Sequence, residues 1–441
     1  MAKAKSKKIM LEDAIVPVDE QPYHIPENWC WTRIKHVSDV VTGSTPSKKH
    51  AEYYGGDFPF FKPADLEAGD NVVEATEYLS EEGKNVSRII PKLSTAVCCI
   101  GSIGKTGLIR VEGTTNQQIN SMIPKINPLY LYYYSKSNVF IEELWNKSTA
   151  TTISLVNKKN METNTIPLAP QAEQKRIVEQ IESLFSKLDE AKEKAQEVID
   201  GYEARNAAVY NDAFSGRLTA QWRKDSYKEN KWETKRFDEV ADIKSNLVEP
   251  SNYLEFPHIA PDNIEKRTGI LLDYHTIAED GVKSRKHRFY AGQILYSKIR
   301  PYLSKVVMVD FDGLCSADMY PIEAKENTKY LLYYMLSDMF LEQASSAGSR
   351  SVLPKINQKE LSAIKVRITS DEEQKEVVRI LDYLLPMMQQ VRDKAVQVVD
   401  NIDAIKKSIL AKAFRGKLGT NIPEDESAME LLKIILNKGE C

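Results

Sequence analysis

The chain has 441 residues, of which 42% are hydrophobic and 28% charged, and its formal net charge is −3. These values exclude a disordered or collagen-like chain, and the length allows two to four domains that each bury a core. Five scattered cysteines without a Cys-x-x-Cys pair exclude a disulfide framework and a structural zinc site. Since no apolar run is long enough to cross a bilayer and the basic start leads into Glu12 and Asp13, we expect a cytoplasmic protein with reduced thiols.

The first variable region, residues 24–170, is predicted to be a mixed α/β domain. Apolar runs predict strands at 91–100 and 106–111, with glycines between them. Residues 130–145 predict a helix, and we expect the aromatic run at its start to pack in the core. The region has 15 basic and 15 acidic residues, so any DNA-binding face must be local or supplemented by a partner subunit.

A long amphipathic helix is predicted next. Its apolar residues, from Ile177 to Val209, are spaced alternately by four and three, a pattern broken only at Arg205. This spacing is typical of a coiled coil. About 40 such residues would form a rod of roughly 60 Å, and Gly216 lies where a C-terminal glycine cap is expected.

The second half repeats this order. Strands are predicted at 292–298 and 305–309, a hairpin turn at 310–312 and a helix at 330–345. A second apolar stripe, in the same register, runs from Val377 to Ile409 and ends before Gly416. Because proline in a helix interior costs about 3 kcal/mol, we expect a kink or a break at Pro386.

The two halves are copies displaced by 200 residues: Glu-Gln-Lys at 173–175 recurs at 373–375, and 213–218 recurs as 413–418. Two stripes of equal length and phase can cover each other as an antiparallel coiled coil. The alternative is that each helix packs only on its own domain. We therefore predict an α+β fold with a mixed α/β domain at each end of the coiled coil, about a pseudo-twofold axis. The predicted segments are 1–23, 24–170, 171–221, 222–369, 370–418 and 419–441.

Each segment that resembles an enzyme motif lacks a residue that the motif requires. The Gly-Lys-Thr at 104–106 lacks the first glycine of a phosphate-binding loop, because Cys99 stands there, and a strand is predicted to follow it. The Asn-Pro-Leu-Tyr at 127–130 has Leu129 where amino methyltransferases have a second proline, and no glycine-rich cofactor loop follows a strand. The six histidines show no metal-ligand spacing. We therefore predict a binding protein with no catalytic residues and no metal.

Several loops carry side chains suited to DNA. Residues 101–105 offer backbone N–H groups, a hydroxyl and an ammonium, and 114–118 offer amides that suit adenine; we expect these two segments to adjoin across one hairpin. Their counterparts, 297–302 and 314–318, differ in chemistry, as two readers of different sequences would. Basic loops at 48–50 and 283–288 are candidates for phosphate contacts, although such charge runs are as often solvated surface. The candidate DNA-binding residues are Lys48, Lys49, Lys62, Ser102, Lys105, Asn116, Gln117, Gln118, Lys283, Arg285, Arg288, Lys298, Arg300, Tyr302, Ser316 and Arg350.

The chain resembles type I restriction–modification specificity subunits over essentially its whole length. The resemblance is carried by Thr-Gly-Ser-Thr-Pro-Ser at 42–47, Tyr-Gly-Gly-Asp-Phe-Pro at 54–59 and Asn-Gln-Gln-Ile-Asn at 116–120. The repeated Glu-Gln-Lys helix starts and the tail at 426–432 are also typical. None of these pieces is a catalytic signature; their order, together with the duplication, identifies the family.

The resemblance implies two target recognition domains, each reading one half of a bipartite asymmetric DNA site. It implies that the helices set the unread spacer and dock two methyltransferase subunits, and that restriction subunits join for cleavage. AdoMet, ATP and magnesium would then belong to the partners. The helix residues that we assign to docking are Ile177, Ile181, Leu184, Leu188, Val377, Leu381, Leu384 and Ile402.

Two other functions remain open on the sequence. The first is a scaffold or adaptor, in which duplicated domains bind proteins and the coiled coil fixes their separation. The second is an enzyme of unrecognised type, such as a solitary DNA methyltransferase or nuclease.

Overall fold

The computed structural model describes residues 10–149, 154–226, 231–347 and 354–438. The chain divides into two compact units, one formed by Met1–Glu193 with Val398–Cys441 and the other by Lys194–Gln397. No helix in the described ranges is long and apolar enough to cross a membrane.

The first unit contains two four-stranded sheets and a two-stranded ribbon. One sheet is antiparallel, and the other contains a parallel pair in which Phe61 lies beside Thr115. In sheet order, the strands are Ser38–Thr42, Ile119–Pro124, Thr95–Cys98 and Thr106–Leu108, then Glu77–Leu79, Tyr54–Phe61, Gly113–Thr115 and Ile89–Ile90, with Cys30–Arg33 and Thr165–Leu168 in the ribbon. The helices are Leu11–Ala14, Ile34–Val37, Glu81–Asn85, Pro128–Ser135, Asn138–Asn146, Lys158–Glu162 and Ala428–Lys438, with the first long helix, Gln171–Asp200.

The second unit repeats the plan with one more strand. Its second sheet has five strands, and the parallel pair places Ile259 beside Cys315. The strands are Ala241–Ile243, Met319–Ala324, Ile294–Ser297 and Val306–Met308, then Leu247–Val248, Lys286–Phe289, Gly313–Cys315, Pro257–Ile259 and His275–Thr276, with Glu233–Arg236 and Lys365–Ile368 in the ribbon. The helices are Tyr202–Phe214, Ala220–Asp225, Phe237–Val240, Thr328–Leu336, Asp338–Ala347 and Gln358–Ser362. The second long helix, Asp371–Ala413, belongs to this unit up to Gln397 and to the first unit from Val398.

Aromatic residues fill the core of both units in the same way. In the first unit, Tyr130 and Tyr134 are fully buried and meet Phe414 edge-on, with ring centroids 5.2 and 5.0 Å apart. In the second, Phe214 meets Tyr330 and Tyr334 at 5.3 and 5.0 Å. The predicted core packing of the aromatic runs is confirmed.

Two local predictions in the α/β regions were wrong. The single helices expected at 130–145 and at 330–345 are each two helices, divided at 136–137 and at 337. In the first domain, the hydroxyl of Ser137 accepts a hydrogen bond from the Phe140 N–H and starts the new helix. The segment 310–312 does not close a hairpin, because Val306–Met308 and Gly313–Cys315 belong to different sheets. It carries the chain from one sheet to the other.

The second long helix pairs antiparallel with a helix of the first copy in each unit: its C-terminal part with Gln171–Asp200 in the first unit, and its N-terminal part with Tyr202–Phe214 in the second. In the first unit, the ammonium of Lys406 lies 2.5 Å from an Asp189 carboxylate oxygen, and Arg176 binds the carbonyl of Thr420. In the second, the Tyr202 hydroxyl donates to Gln389 at 2.6 Å, and Thr219 donates to Glu373. The predicted antiparallel pairing of the two long helices is confirmed.

The break expected at Pro386 was wrong, because the second long helix continues through it. Pro386 is exposed, so water can satisfy the carbonyl that loses its intrahelical partner. The break occurs in the first copy instead, where one helix ends at Asp200 and the next begins at Tyr202. Arg205, the irregular stripe position, donates to the carbonyls of Glu197 and Val198 at this break.

The repeated Glu-Gln-Lys segments start both long helices from buried positions. Gln174 accepts from the Asn127 N–H at 3.1 Å and donates to the Ala169 carbonyl. Gln374 makes the same two bonds, with Asn327 and Thr369. At the far ends, Gly216 and Gly416 have φ of +83° and +67°. This left-handed conformation favours glycine and confirms the predicted caps.

Candidate nucleic-acid interface

The site in the first unit begins where two parallel strands end. Phe61 and Thr115 are neighbours in these strands, and the Asn116 N–H donates to the Phe61 carbonyl at 3.1 Å. The residues that follow the two strands, Lys62 and Asn116, therefore lie side by side.

Two further loops join this edge. The hairpin loop 99–105 is attached by a hydrogen bond from the Cys99 N–H to the Gln118 carbonyl at 2.7 Å. The loop 43–50 is attached by the Ser44 N–H, which donates to the Thr115 carbonyl, and by the Thr45 hydroxyl, which donates to Gln117. Three chain segments thus converge on residues 116–118: the end of the strand at Phe61, the loop 99–105 and the loop 43–50.

Residues 101–105 and 114–118 do adjoin, but not across one hairpin. Residues 99–105 close the hairpin of Thr95–Cys98 with Thr106–Leu108, whereas 116–118 connect strands of different sheets. Thr45 was not predicted from the sequence to belong to this edge, although its loop was chosen as a candidate DNA contact because of Lys48 and Lys49.

The predicted residues of the first domain differ in exposure. Lys48, Lys49, Ser102 and Gln117 are exposed, and Gln118 is half-buried. Lys62 pairs with Glu77 at 2.8 Å and Lys105 with Glu67 at 2.6 Å, so both ammoniums already have carboxylate partners.

Asn116 differs from the expectation of a base contact, because only 7% of it is exposed. Its amide donates to the Gln118 side chain, and its carbonyl oxygen accepts from the Gln118 N–H. Asn116 therefore shapes the turn, and Gln117 is the amide that points to solvent.

The second domain builds the same edge from different side chains. The Ser316 N–H donates to the Ile259 carbonyl at 2.8 Å, and the Lys298 N–H donates to the Asp318 carbonyl at 3.0 Å. The ammonium of Lys298 binds the Ala317 carbonyl at 2.5 Å and lies over the Tyr320 ring. This edge is charged, whereas residues 116–118 are neutral.

Arg300 and Tyr302 lie on the loop beside this edge. Arg300 has φ +48°, its N–H donates to the Pro354 carbonyl, and its side chain is exposed. Tyr302 is 47% exposed. Arg350 lies outside the residues that the structure describes.

The basic segment 283–288 contains three kinds of side chain. Lys283 and Arg285 are exposed, and Arg285 pairs with Glu249 at 2.5 Å. The Arg288 guanidinium lies between three aromatic rings, 4.8 to 5.9 Å from their centroids. Lys286 is only 8% exposed, and burial lowers its pKa.

Sequence reasoning missed the polar side chains beneath this surface. Asn246 Oδ1 and His287 Nδ1 are buried without a hydrogen-bond partner among the described residues, and burial lowers the pKa of His287. Alternation along the strand Lys286–Phe289 was the available signal, since it buries His287 on the same face as Phe289.

The helix residues assigned to docking divide into two groups. Ile177, Ile181, Val377 and Leu381 are completely buried in the cores of their units, and Ile402 is 2% exposed. Leu184, Leu188 and Leu384 are half-buried. The first five side chains therefore cannot meet a partner in this conformation, because the chain's own core covers them.

Another stripe on the second long helix is exposed. Within the second unit, Tyr383, Met387 and Val391 are 66%, 50% and 48% exposed and recur every four residues. This spacing places them on one helix face. The matching positions of the first long helix are Ser183, Lys187 and Ala191.

The chemistry of both edges is that of binding. Amides, hydroxyls and cations are displayed on loops, and no cluster of metal-ligating residues occurs in the part of the chain that the structure describes. These groups can donate to and accept from base edges and phosphates.

Known proteins share this arrangement. A family model described as the type I restriction modification DNA specificity domain matches residues 26–199 and again 229–394. The EcoDI type I restriction enzyme specificity subunit of Escherichia coli is 39% identical over 422 residues, which is 89% of each chain. The MjaIX specificity subunit of Methanocaldococcus jannaschii is 24% identical, covering 89% of this chain and 94% of its own length.

Solved structures agree on the fold. The crystal structure of the HsdS subunit from Thermoanaerobacter tengcongensis has a TM-score of 0.66 at 17% identity and covers 91% of this chain and 100% of its own. A structure described under complex assembly and conformational transition of the type I R-M system has a TM-score of 0.64 at 18% identity, with coverage of 90% and 100%. The matches confirm the resemblance drawn from the sequence: the chain belongs to the family of type I restriction–modification specificity subunits, which supply DNA sequence recognition rather than catalysis.

Proposed function

We propose that the two converged loop edges are the DNA-reading surfaces, one for each half of a bipartite site. The recognition domains are residues 24–170 and 222–369. The observation that carries the proposal is the edge itself, which the same backbone hydrogen bonds build twice and which carries different side chains each time. Two domains that recognise different DNA sequences require the same backbone arrangement with different side chains on its loops.

In the first domain, Gln117 and Ser102 contact bases, and Lys48 and Lys49 contact phosphates. The exposed amide of Gln117 can make two hydrogen bonds to adenine. The lysines are exposed on the loop that Thr45 joins to Gln117, and phosphate contacts from that loop would fix the register of the base-reading amide.

In the second domain, Arg300 and Tyr302 contact bases from the exposed loop, with Ser316 and Lys298 at the edge behind them. Lys283 and Arg285 contact phosphates. Residues 232–370 have 19 basic and 19 acidic residues and therefore no excess of positive charge. This balance supports further phosphate contacts from partner subunits.

The partners that we propose are two methyltransferase subunits, joined by restriction subunits for cleavage. The stripe of Tyr383, Met387 and Val391 is the docking surface of the second long helix, because large exposed apolar groups in one row are typical of an interface. AdoMet, ATP and magnesium belong to those partners. The paired long helices set the length of the unread spacer.

The proposal is tested by mapping methylated adenines in a host that expresses the chain with the modification subunit encoded beside it. One bipartite motif with a fixed spacer should appear, and it should vanish when the gene for this chain is deleted. Methylation that survives the deletion would contradict the proposal and favour the scaffold alternative.

A further inference from the structure

The internal repeat allows the tips of the two reading edges to be compared position by position. In the first domain, the Cys99 N–H donates to the Gln118 carbonyl, and Ile100 forms a bridge with Leu155. These bonds place three residues at the tip: Cys99, Gln118 and Leu155.

The second domain has the same bonds. The Lys298 N–H donates to the Asp318 carbonyl, and Ile299 forms a bridge with Lys355. Lys298, Asp318 and Lys355 therefore occupy the positions of Cys99, Gln118 and Leu155.

All three positions change from neutral to charged. Cys99 is a buried thiol, 2% exposed, and Leu155 is 38% exposed. In the second domain, the Asp318 carboxylate lies 3.2 Å from the Lys355 ammonium and 3.9 Å from that of Lys298. A neutral tip has thus become a cluster of two cations and one anion.

The exposed pair of this cluster is Asp318 with Lys355. Their side chains are 43% and 47% exposed, whereas Lys298 is 23% exposed and is held by the Ala317 carbonyl and the Tyr320 ring. A carboxylate has more lone pairs than Lys355 uses, and an ammonium has three donors. Both groups can therefore bind a second partner without separating.

Such a pair matches one base pair in the major groove. Guanine presents the acceptors N7 and O6, and cytosine presents its N4 amino group as a donor. An ammonium beside a carboxylate offers the complementary donor and acceptor. The geometry that discriminates is Lys355 on guanine N7 and O6 with Asp318 on cytosine N4. At an A·T pair, the ammonium would meet the N6 amino group where guanine has O6, and the carboxylate would meet thymine O4 and the methyl group where cytosine has N4.

The tip of the first domain suits the opposite base pair. The Gln118 side-chain oxygen accepts from Asn116 at 3.0 Å, and its amino group can donate to adenine N7. Leu155 is an exposed apolar group that can contact the thymine methyl.

We propose that Asp318 and Lys355 are specificity-determining residues that select a G·C pair in the half-site of the second domain, where Gln118 and Leu155 select an A·T pair in the other. The inference rests on the proposed function. It assigns base chemistry to one position in each half-site.

The test exchanges the two tips and maps adenine methylation in a host that also carries the modification subunit. In the double variant Asp318→Gln with Lys355→Leu, one G·C position of the second half-site should change to A·T, and the first half-site should stay unchanged. Preference for the original pair should fall roughly 5- to 150-fold. The matched control, Gln118→Asp with Leu155→Lys, should make the reverse change in the first half-site only.

The single variant Asp318→Asn guards against misfolding, since it keeps the shape and removes the charge. It should relax discrimination at the same position. An unchanged motif in correctly folded variants, or equal weakening at all sequences, would overturn the inference. If the unaltered chain determines no motif at all, the proposed function itself fails, which is a distinguishable result.

Discussion

At the scale of single residues, removing a base-contacting side chain and removing a phosphate-binding side chain should change DNA binding in different ways. Gln117→Ala should reduce discrimination at one base pair by about 1–3 kcal/mol, because a bidentate amide contact is lost. Lys49→Ala should weaken binding to all DNA sequences equally. It should also reduce, by about 1, the magnitude of the slope of log affinity against log salt concentration. Binding of the reconstituted complex to a set of single-position DNA variants, across a salt series, measures both.

The control for this comparison is Asn116→Ala. Because Asn116 is buried and hydrogen-bonded to Gln118, its replacement should disturb the loop and reduce discrimination at several base positions together. If Gln117→Ala weakens every sequence alike, Gln117 contacts phosphate rather than a base.

Glu373 provides a pH-dependent prediction. Burial opposes its charge, but hydrogen bonds from Thr219, Thr369 and Arg223 outweigh that effect and lower the pKa of the carboxyl below its ordinary 4.5. A carboxyl whose pKa is lowered by folding stabilises the fold above that range, and the stabilisation is lost as the pH falls through the folded pKa.

Glu373→Gln should therefore destabilise the second unit by about 1.5–3 kcal/mol at pH 7, the range for hydrogen bonds to a charged group. The difference from the unaltered chain should shrink below about pH 4.5. Urea unfolding at several pH values measures this, with Glu255→Gln at an exposed position as control. A pH-independent difference would mean that the charge of Glu373 does not contribute.

At the scale of elements, the sequence predicted helices better than loops. Periodic apolar spacing is local, so both long helices and their glycine caps could be predicted. The prediction of a break at Pro386 was wrong because the free-energy cost of a proline inside a helix depends on its exposure to water, which the sequence pattern does not show. The irregular stripe position Arg205 instead lies next to the true break, at Gly201.

The reading edges could be predicted only in part. Their composition identified Gln117 and Arg300, but the edges form where distant strands end side by side, as Phe61 and Thr115 do. Such pairing is not visible in local sequence. For the same reason the sequence missed Lys355, which reaches the edge through a bridge to Ile299.

The exposed stripe of the second long helix gives a prediction for docking. Met387→Asp should weaken binding of a methyltransferase subunit without unfolding the chain, because Met387 is 50% exposed and contributes little to the core. Lys187→Asp, at the matching exposed position of the first long helix, is the control. Titration of the purified modification subunit measures both; equal affinities for all three proteins would exclude the stripe as the interface.

The buried stripe should behave in the opposite way. Leu381→Ala should destabilise the second unit by about 2–5 kcal/mol, because it leaves a cavity in the core. Thermal unfolding measures this loss. Weakened docking at unchanged stability would contradict the core assignment of Leu381.

At the scale of the whole molecule, the duplication is the feature that connects fold and function. The same frame is built twice from one chain, and each copy has its own core and its own reading edge. Because each edge is assembled from residues of one unit, exchanging one recognition domain should leave the other reader intact.

The most direct test replaces residues 24–170 with the corresponding region of a relative and maps the methylated adenines of the host. One half of the bipartite motif should change, while the other half stays as it was. A chimaera that is folded and active but changes both halves, or neither, would contradict two independent readers in one chain.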